Sequence, residues 1–197
     1  MNKVYAILYP LVWIFMKIFH PWKAVGLENL PEGAALLCGN HSTVGDPVYV
    51  VCCLGWRRQT HVMAKEEIMK WPVIGFLLKK AGIFGVKRGT ADVAALKEAL
   101  RVLKGGERLL MFPEGTRVKE GEAAEARTGA AMFSIRTGAP LVPVYIPPKK
   151  RIFRKTTVVF GAPYHPEFEG RKPTPEDYRR IADDLMARIR ALGEKSA

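Results

Sequence analysis

Apolar residues recur along this chain in two rhythms. Short, nearly unbroken runs stand at 34–38, 60–64, 83–86, 109–112, 141–146 and 156–160, the pattern of strands covered on both faces. Between them the spacing changes to three and four. Val93, Leu96, Leu100 and Leu103 share one helical face, with Thr90 placed to cap it and Gly105-Gly106 to stop it. A second helix is predicted over 128–137, ended by Gly138-Ala139-Pro140. A third opens at Thr174-Pro175-Glu176-Asp177 and carries a stripe of Tyr178, Ile181, Leu185, Ile189 and Leu192.

Strands alternating with helices predict an α/β fold, a largely parallel mixed sheet flanked by helices. No internal repeat or Gly/Ser linker interrupts residues 24–197, so one α/β domain is expected there. Ligands of such sheets sit outside the carboxyl ends of the strands. The residues that follow the strands therefore matter most.

The amino-terminal segment differs. Of the sixteen residues 4–19, fifteen are apolar, aromatic or Pro, and Lys17 is the only charge. As a helix the run reaches roughly 24 Å, short of the about 30 Å of a hydrocarbon core. Tyr5, Tyr9, Trp13 and Trp22 suit a headgroup boundary, and Lys3, Lys17 and Lys23 can reach anionic heads. Residues 1–23 are expected to form a monotopic membrane-anchoring helix lying in one leaflet. The competing readings are a helix packed on the domain's own core and a true span.

Charge narrows the partners. The 197 residues carry 31 Lys and Arg against 19 Asp and Glu, a formal net charge of +12. Such an excess calls for something anionic: nucleic acid, an anionic bilayer or phosphorylated substrates. Residues 149–155, KKRIFRK, place five cations in seven positions, which suits nucleic acid or lipid heads equally. The apolar amino terminus separates the two, because nucleic-acid binding gives it no role. Three cysteines, two of them adjacent, make no disulfide framework. His20, His41, His61 and His165 show no metal-ligand spacing, so no metal is expected. No G-x-x-x-x-G-K phosphate loop and no G-x-S-x-G nucleophile elbow is present.

Three post-strand segments hold candidate chemistry. In Gly39-Asn40-His41-Ser42-Thr43-Val44-Gly45-Asp46-Pro47 a tight loop can fold the Asp46 carboxylate onto the His41 imidazole and fix its tautomer. Asp before Pro also reads as a helix N-cap. In Phe112-Pro113-Glu114-Gly115-Thr116-Arg117, Gly115 permits close approach or positive φ, and Arg117 offers a planar fork to phosphate. Alternatively this is a turn with a solvated Arg. In Gly82-Ile83-Phe84-Gly85-Val86-Lys87-Arg88-Gly89 two cations precede a helix start, a pairing that favours phosphate. Equally, they are a solvated strand end.

Together, His-x4-Asp after Asn40, the Gly-x-Phe-x-x-x-Arg segment, F-P-E-G-T-R and Val142-Pro143-Val144-Tyr145-Ile146 resemble the four ordered blocks of the 1-acyl-sn-glycerol-3-phosphate acyltransferase family. The blocks cover about half the chain, from 40 to 146. Gly85 departs from the pattern, where a β-branched residue is commoner. The resemblance implies acyl transfer from an acyl thioester to the sn-2 hydroxyl of lysophosphatidic acid, giving phosphatidic acid. His41 would be the general base and Asp46 its orienting carboxylate. Arg88 and Arg117, with Lys87 and Lys65, would bind substrate phosphate. Glu114, Gly115 and Thr116 would shape the glycerol site. Lys65 enters through Met63-Ala64-Lys65-Glu66-Glu67, similar to a further basic block; a surface Lys at a helix start is the alternative. No cofactor is implied. The donor would be acyl-CoA or acyl carrier protein, and the partners an anionic membrane surface and lysophosphatidic acid, not nucleic acid. The expected location is the cytoplasmic face of the cell membrane. Glycerol-3-phosphate and other lysolipids remain alternative acceptors.

Overall fold

The middle layer is a seven-stranded sheet. The structure, a computed structural model, describes residues 3–56, 59–87, 92–117 and 126–195. Along the chain the elements are α1 (Lys3–Phe19), β1 (Trp22–Val25), β2 (Ala35–Gly39), α2 (Asp46–Leu54), β3 (Thr60–Lys65), α3 (Glu66–Met69), α4 (Pro72–Lys80), β4 (Ile83–Val86), α5 (Val93–Lys104), β5 (Arg108–Met111), α6 (Gly129–Thr137), β6 (Leu141–Tyr145), β7 (Thr156–Phe160) and α7 (Pro175–Glu194). The strand order is β1-β7-β6-β2-β5-β3-β4. All neighbours are parallel except β6 and β7. The sheet is thus mixed and largely parallel, as the alternation predicts.

Pleating divides the core cleanly. Ala35 and Leu37 of β2 join a cluster with Met16 of α1 and Tyr49, Val50, Cys52, Cys53 and Leu54 of α2. Leu36 and Cys38 face the other way, onto Ala99 and Val102 of α5, Ala130 and Phe133 of α6, and Ile181, Leu185 and Ile189 of α7. Residues 35–38 are wholly buried, which is why the central strand reads as an unbroken apolar run.

Local signals account for the helix ends, with two corrections. Asp92, not Thr90, caps α5: its carboxylate accepts from the N–H groups of Ala94 and Ala95 at 3.1 and 3.0 Å. Thr90 lies outside the described residues. Asp46 does not cap α2 either. Gly45 occupies the cap position, Asp46 is the first helical residue, and its side chain turns back to the preceding loop. At α7 the expected start is realised as a capping box, Asp177 N–H donating to Thr174 Oγ1 and Thr174 N–H to Asp177 Oδ2.

Helix α1 has two apolar faces. Tyr5, Tyr9 and Met16 are buried against the domain, and Tyr9 Oη donates to the carbonyl of Cys52 at 3.2 Å. Ile7, Leu11, Ile14, Phe15 and Ile18 are each more than half exposed. Trp71, Val73, Ile74 and Phe76, at and within α4, are exposed as well, and α4 touches α1. The turn at 151–154 adds exposed Ile152 and Phe153; the Phe153 N–H donates to the Phe19 carbonyl at 2.8 Å. No described helix is long and apolar enough to cross a membrane. β1 begins at Trp22, so the sheet takes in residues that the sequence pattern groups with the anchor.

Candidate active site

Strands β6, β2, β5, β3 and β4 run parallel, and their carboxyl ends share one edge. β2 lies in the interior of the sheet, and its first residue beyond the strand is Asn40. The Asn40 side-chain amide donates to the Ile146 carbonyl and accepts the Ile146 N–H, both at 2.8 Å. His41 comes next. Its ring stacks on Phe112, which follows β5, with centroids 4.2 Å apart. Gly39 is tight here: a Cβ would stand 3.2 Å from the Phe112 ring.

The loop to α2 brings Asp46 back to His41. Asp46 Oδ2 lies 3.0 Å from His41 Nδ1 and accepts the N–H groups of Ser42 and Thr43 at 2.7 Å each. Oδ1 accepts from Thr43 Oγ1 at 2.8 Å and from Lys150 Nζ at 2.6 Å. Burial pushes the Asp46 carboxyl up, but hydrogen bonds from His41, Lys150 and the Thr43 backbone outweigh it and hold it at about 2. An ionised carboxylate only accepts, so Nδ1 carries a proton, and in the neutral ring the lone pair is then on Nε2. The His41 side chain is 11% exposed, consistent with a base reachable from one side.

Glu114 closes the loop from the β5 side. Its Oε2 accepts the His41 N–H at 2.9 Å. Burial raises the Glu114 carboxyl above the usual range, against hydrogen bonding and the charge of His41. Gly115 has φ +65, and the Arg127 side chain packs over it. The positive φ is what favours glycine there, since the Arg127 side chain is flexible. Glu114, Thr116, Arg127 and Arg179 line a cleft of about 720 Å³.

The structure brings His41, Asp46, Glu114, Gly115 and Thr116 together. Arg117 follows directly and is exposed. Lys65 ends β3, pairs with Glu67 at 3.0 Å and is about half exposed. Its register partner is Val86, which precedes exposed Lys87 at the end of β4. At about 4.8 Å per strand, these ends lie roughly 10 and 14 Å from β2 along the sheet. Arg88 lies outside the described residues. Cys38 is fully buried, its thiol pushed up by burial and directed to the Leu36 carbonyl, so it is no nucleophile. Among the described residues no group of three or more His, Cys, Asp or Glu gathers as a metal site.

Three residues of the site escape sequence reasoning. Arg179 sits on the charged side of an amphipathic helix, where it looks like any solvated Arg. Arg127 precedes α6 without a motif. Lys150 is hidden inside the five-cation run 149–155, which reads as one solvated patch; its side chain is only 7% exposed and turns inward.

The chain is similar to known proteins in sequence and in fold. The model of the acyltransferase family matches residues 22–147. A chloroplastic 1-acyl-sn-glycerol-3-phosphate acyltransferase from Brassica napus is 32% identical over 139 residues, 68% of this chain; the chain spans 40% of that relative's length. The 1-acyl-sn-glycerol-3-phosphate acyltransferase of Bacillus subtilis is 32% identical over 180 residues, 88% of each chain. In fold, the chain is similar to the crystal structure of the 1-acyl-sn-glycerophosphate acyltransferase PlsC from Thermotoga maritima. The TM-score is 0.71 at 23% identity, covering 98% of this chain and 81% of that one.

Proposed function

The chain belongs to the acyltransferase family, and from that premise we propose that it transfers a fatty acyl group from an acyl thioester to the sn-2 hydroxyl of 1-acyl-sn-glycerol-3-phosphate. The product is phosphatidic acid. The observation that carries the reading is the His41–Asp46 pair at the carboxyl end of β2, with Nδ1 held by Oδ2 at 3.0 Å.

In this mechanism His41 Nε2 takes the proton of the acceptor hydroxyl as its oxygen attacks the thioester carbonyl. The imidazolium formed is stabilised by Asp46. The tetrahedral intermediate collapses, the C–S bond breaks, and His41 returns the proton to the departing thiolate. No acyl-enzyme forms, in keeping with the inert Cys38. Arg127 and Arg179, which line the cleft with Glu114 and Thr116, and Arg117, which follows Thr116, supply planar forks for the acceptor's phosphate. Lys65 and Lys87 contribute further positive charge along the same sheet edge. Acyl-CoA and acyl carrier protein both fit as donors.

The same reading places the enzyme on a membrane surface, at the cytoplasmic face. The outer face of α1, the apolar residues around α4 and the tip at Ile152 and Phe153 are bare hydrocarbon. Lys17 stands 5.6 and 5.3 Å from the Trp13 and Trp22 ring centroids. That pairing suits a headgroup boundary. An interfacial site lets the acyl chains stay in lipid, avoiding about 0.8 kcal/mol per CH₂ drawn into water.

The test is purified protein in detergent with a panel of lysolipids, glycerol-3-phosphate and both thioesters, products read by mass. Phosphatidic acid as the main product, lost at least 10²-fold in a folded His41→Ala variant, is expected. Acylation of a phosphate-free lysolipid in preference to lysophosphatidic acid would overturn the acceptor assignment.

A further inference from the structure

Lys150 lies beyond the four sequence blocks, in the cation run that follows β6. It leaves the end of β6, four residues beyond Ile146, and its Nζ stands 2.6 Å from Asp46 Oδ1 and 3.0 Å from Ser42 Oγ. Asp46 is wholly buried. The carboxylate is divided between its neighbours, Oδ2 serving His41 and Oδ1 serving Lys150.

The division matters because hydrogen bonding alone does not require a cation here. Two backbone N–H groups and the Thr43 hydroxyl already donate to the carboxylate, besides the His41 ring. What Lys150 adds is charge. A buried carboxylate facing an imidazole and nothing else favours the imidazolium, and an imidazolium cannot accept a proton. A carboxylate already paired with an ammonium still orients the ring but attracts the proton less.

We propose that Lys150 is a positioning residue for acyl transfer: it holds Asp46 against His41 Nδ1 and balances its charge, so that the ring is oriented yet kept as the free base. The proposal rests on His41 being the base. The other charged or titratable groups facing the pair are few among the described residues. Glu114, from the loop after β5, accepts the His41 N–H. Arg190 of α7 acts on Glu114, and Tyr49 of α2 feels Asp46, though burial is the larger influence on its hydroxyl. Neither Arg190 nor Tyr49 has a hydrogen bond to Asp46, so Lys150 is the cation paired with it.

The experiment is the pH–rate profile of the full chain in detergent, for the wild type, Lys150→Met, Lys150→Arg and His41→Ala, with melting curves alongside. For Lys150→Met the acid limb moves to higher pH by about one unit. Turnover then falls about tenfold below the limb and recovers toward pH 9. Lys150→Arg keeps the wild-type limb. A loss uniform across pH, or an unchanged profile, overturns the proposal. Full turnover in His41→Ala instead overturns the base assignment, whatever Lys150 does. If Lys150→Met does not fold, Asp46→Asn is compared with Asp46→Asn/Lys150→Met, which removes both charges. The single variant, left with an unpaired ammonium, has its acid limb at lower pH than the double. Coincident limbs overturn the proposal.

Discussion

Asn40 and Ile146 lie 106 positions apart and exchange two hydrogen bonds of 2.8 Å. The Asn40 side chain thereby imitates one more step of a parallel ladder between β2 and β6. The consequence is geometric. His41 leaves the sheet one residue after Asn40, and Lys150 approaches four residues after Ile146. The base and the cation behind its carboxylate are thus set relative to each other by one amide.

Asn40→Asp is therefore expected to be severe although nearly isosteric. It removes the donor to the Ile146 carbonyl and sets a carboxylate against that oxygen. A lost, unreplaced hydrogen bond at a part-buried site costs about 1–3 kcal/mol. Denaturant unfolding should show that loss, and turnover should fall more than stability alone explains. Wild-type turnover in Asn40→Asp would mean that the β2–β6 tie does not position the base.

Stability should depend on pH through Asp46. Its carboxyl is lowered in the folded protein from 3.8 to about 2. Its contribution is then fully present above the unfolded value and is lost as pH falls from near 4 through about 2, a change of about 2 kcal/mol. Asp46→Asn lacks that titration. Unfolding curves at pH 5 and pH 2.5 should show the gap between wild type and variant narrowing on acidification. A gap that stays constant would place the pH dependence elsewhere.

The arginines beside Glu114 and Thr116 make a separable prediction. Arg117→Ala and Arg127→Ala should each raise KM for the phosphorylated acceptor about tenfold, the scale of one charge-assisted contact, with little change in KM for the thioester. Arg117→Lys should restore only part of the loss, because a point charge does not reproduce a planar fork. Equal losses for both substrates would make these residues structural. For Arg127 a melting curve is needed beside the kinetics, because its side chain packs over Gly115.

Legibility in the sequence follows from how each residue is satisfied. The central strands β2 and β6 are readable because both faces are covered and the run is nearly all apolar. β1 is not, since an edge strand with alternating burial over four residues has too short a pattern. α4 escapes because its apolar residues point outward, where periodicity normally marks a core face. The His41–Asp46 pair is legible since both partners lie in one short loop. Lys150, Arg127 and Arg179 are not. Their roles come from distant segments folding together, and nothing in a run of cations marks which one is turned inward.

The last prediction concerns α1, where deletion would be an ambiguous test. Met16 belongs to the core cluster and Tyr5 and Tyr9 are buried, so removing the helix would uncover the domain's own interior. Substitution on the outer face separates anchoring from packing. Leu11→Ser, Ile14→Ser and Phe15→Ser together alter three residues that are each more than half exposed. Exposed substitutions of this kind cost little in stability, so the melting temperature should barely move. If the outer face lies in lipid, each lost side chain removes about 1.5–3 kcal/mol of burial there, enough for the triple variant to leave the membrane fraction. Recovery with membranes should fall, and so should acylation of lysolipid presented in vesicles. Acylation of a short-chain, water-soluble lysolipid should persist. A triple variant that still sediments with membranes and acylates vesicle lysolipid at the wild-type rate would show that the bare face of α1 is not the anchor.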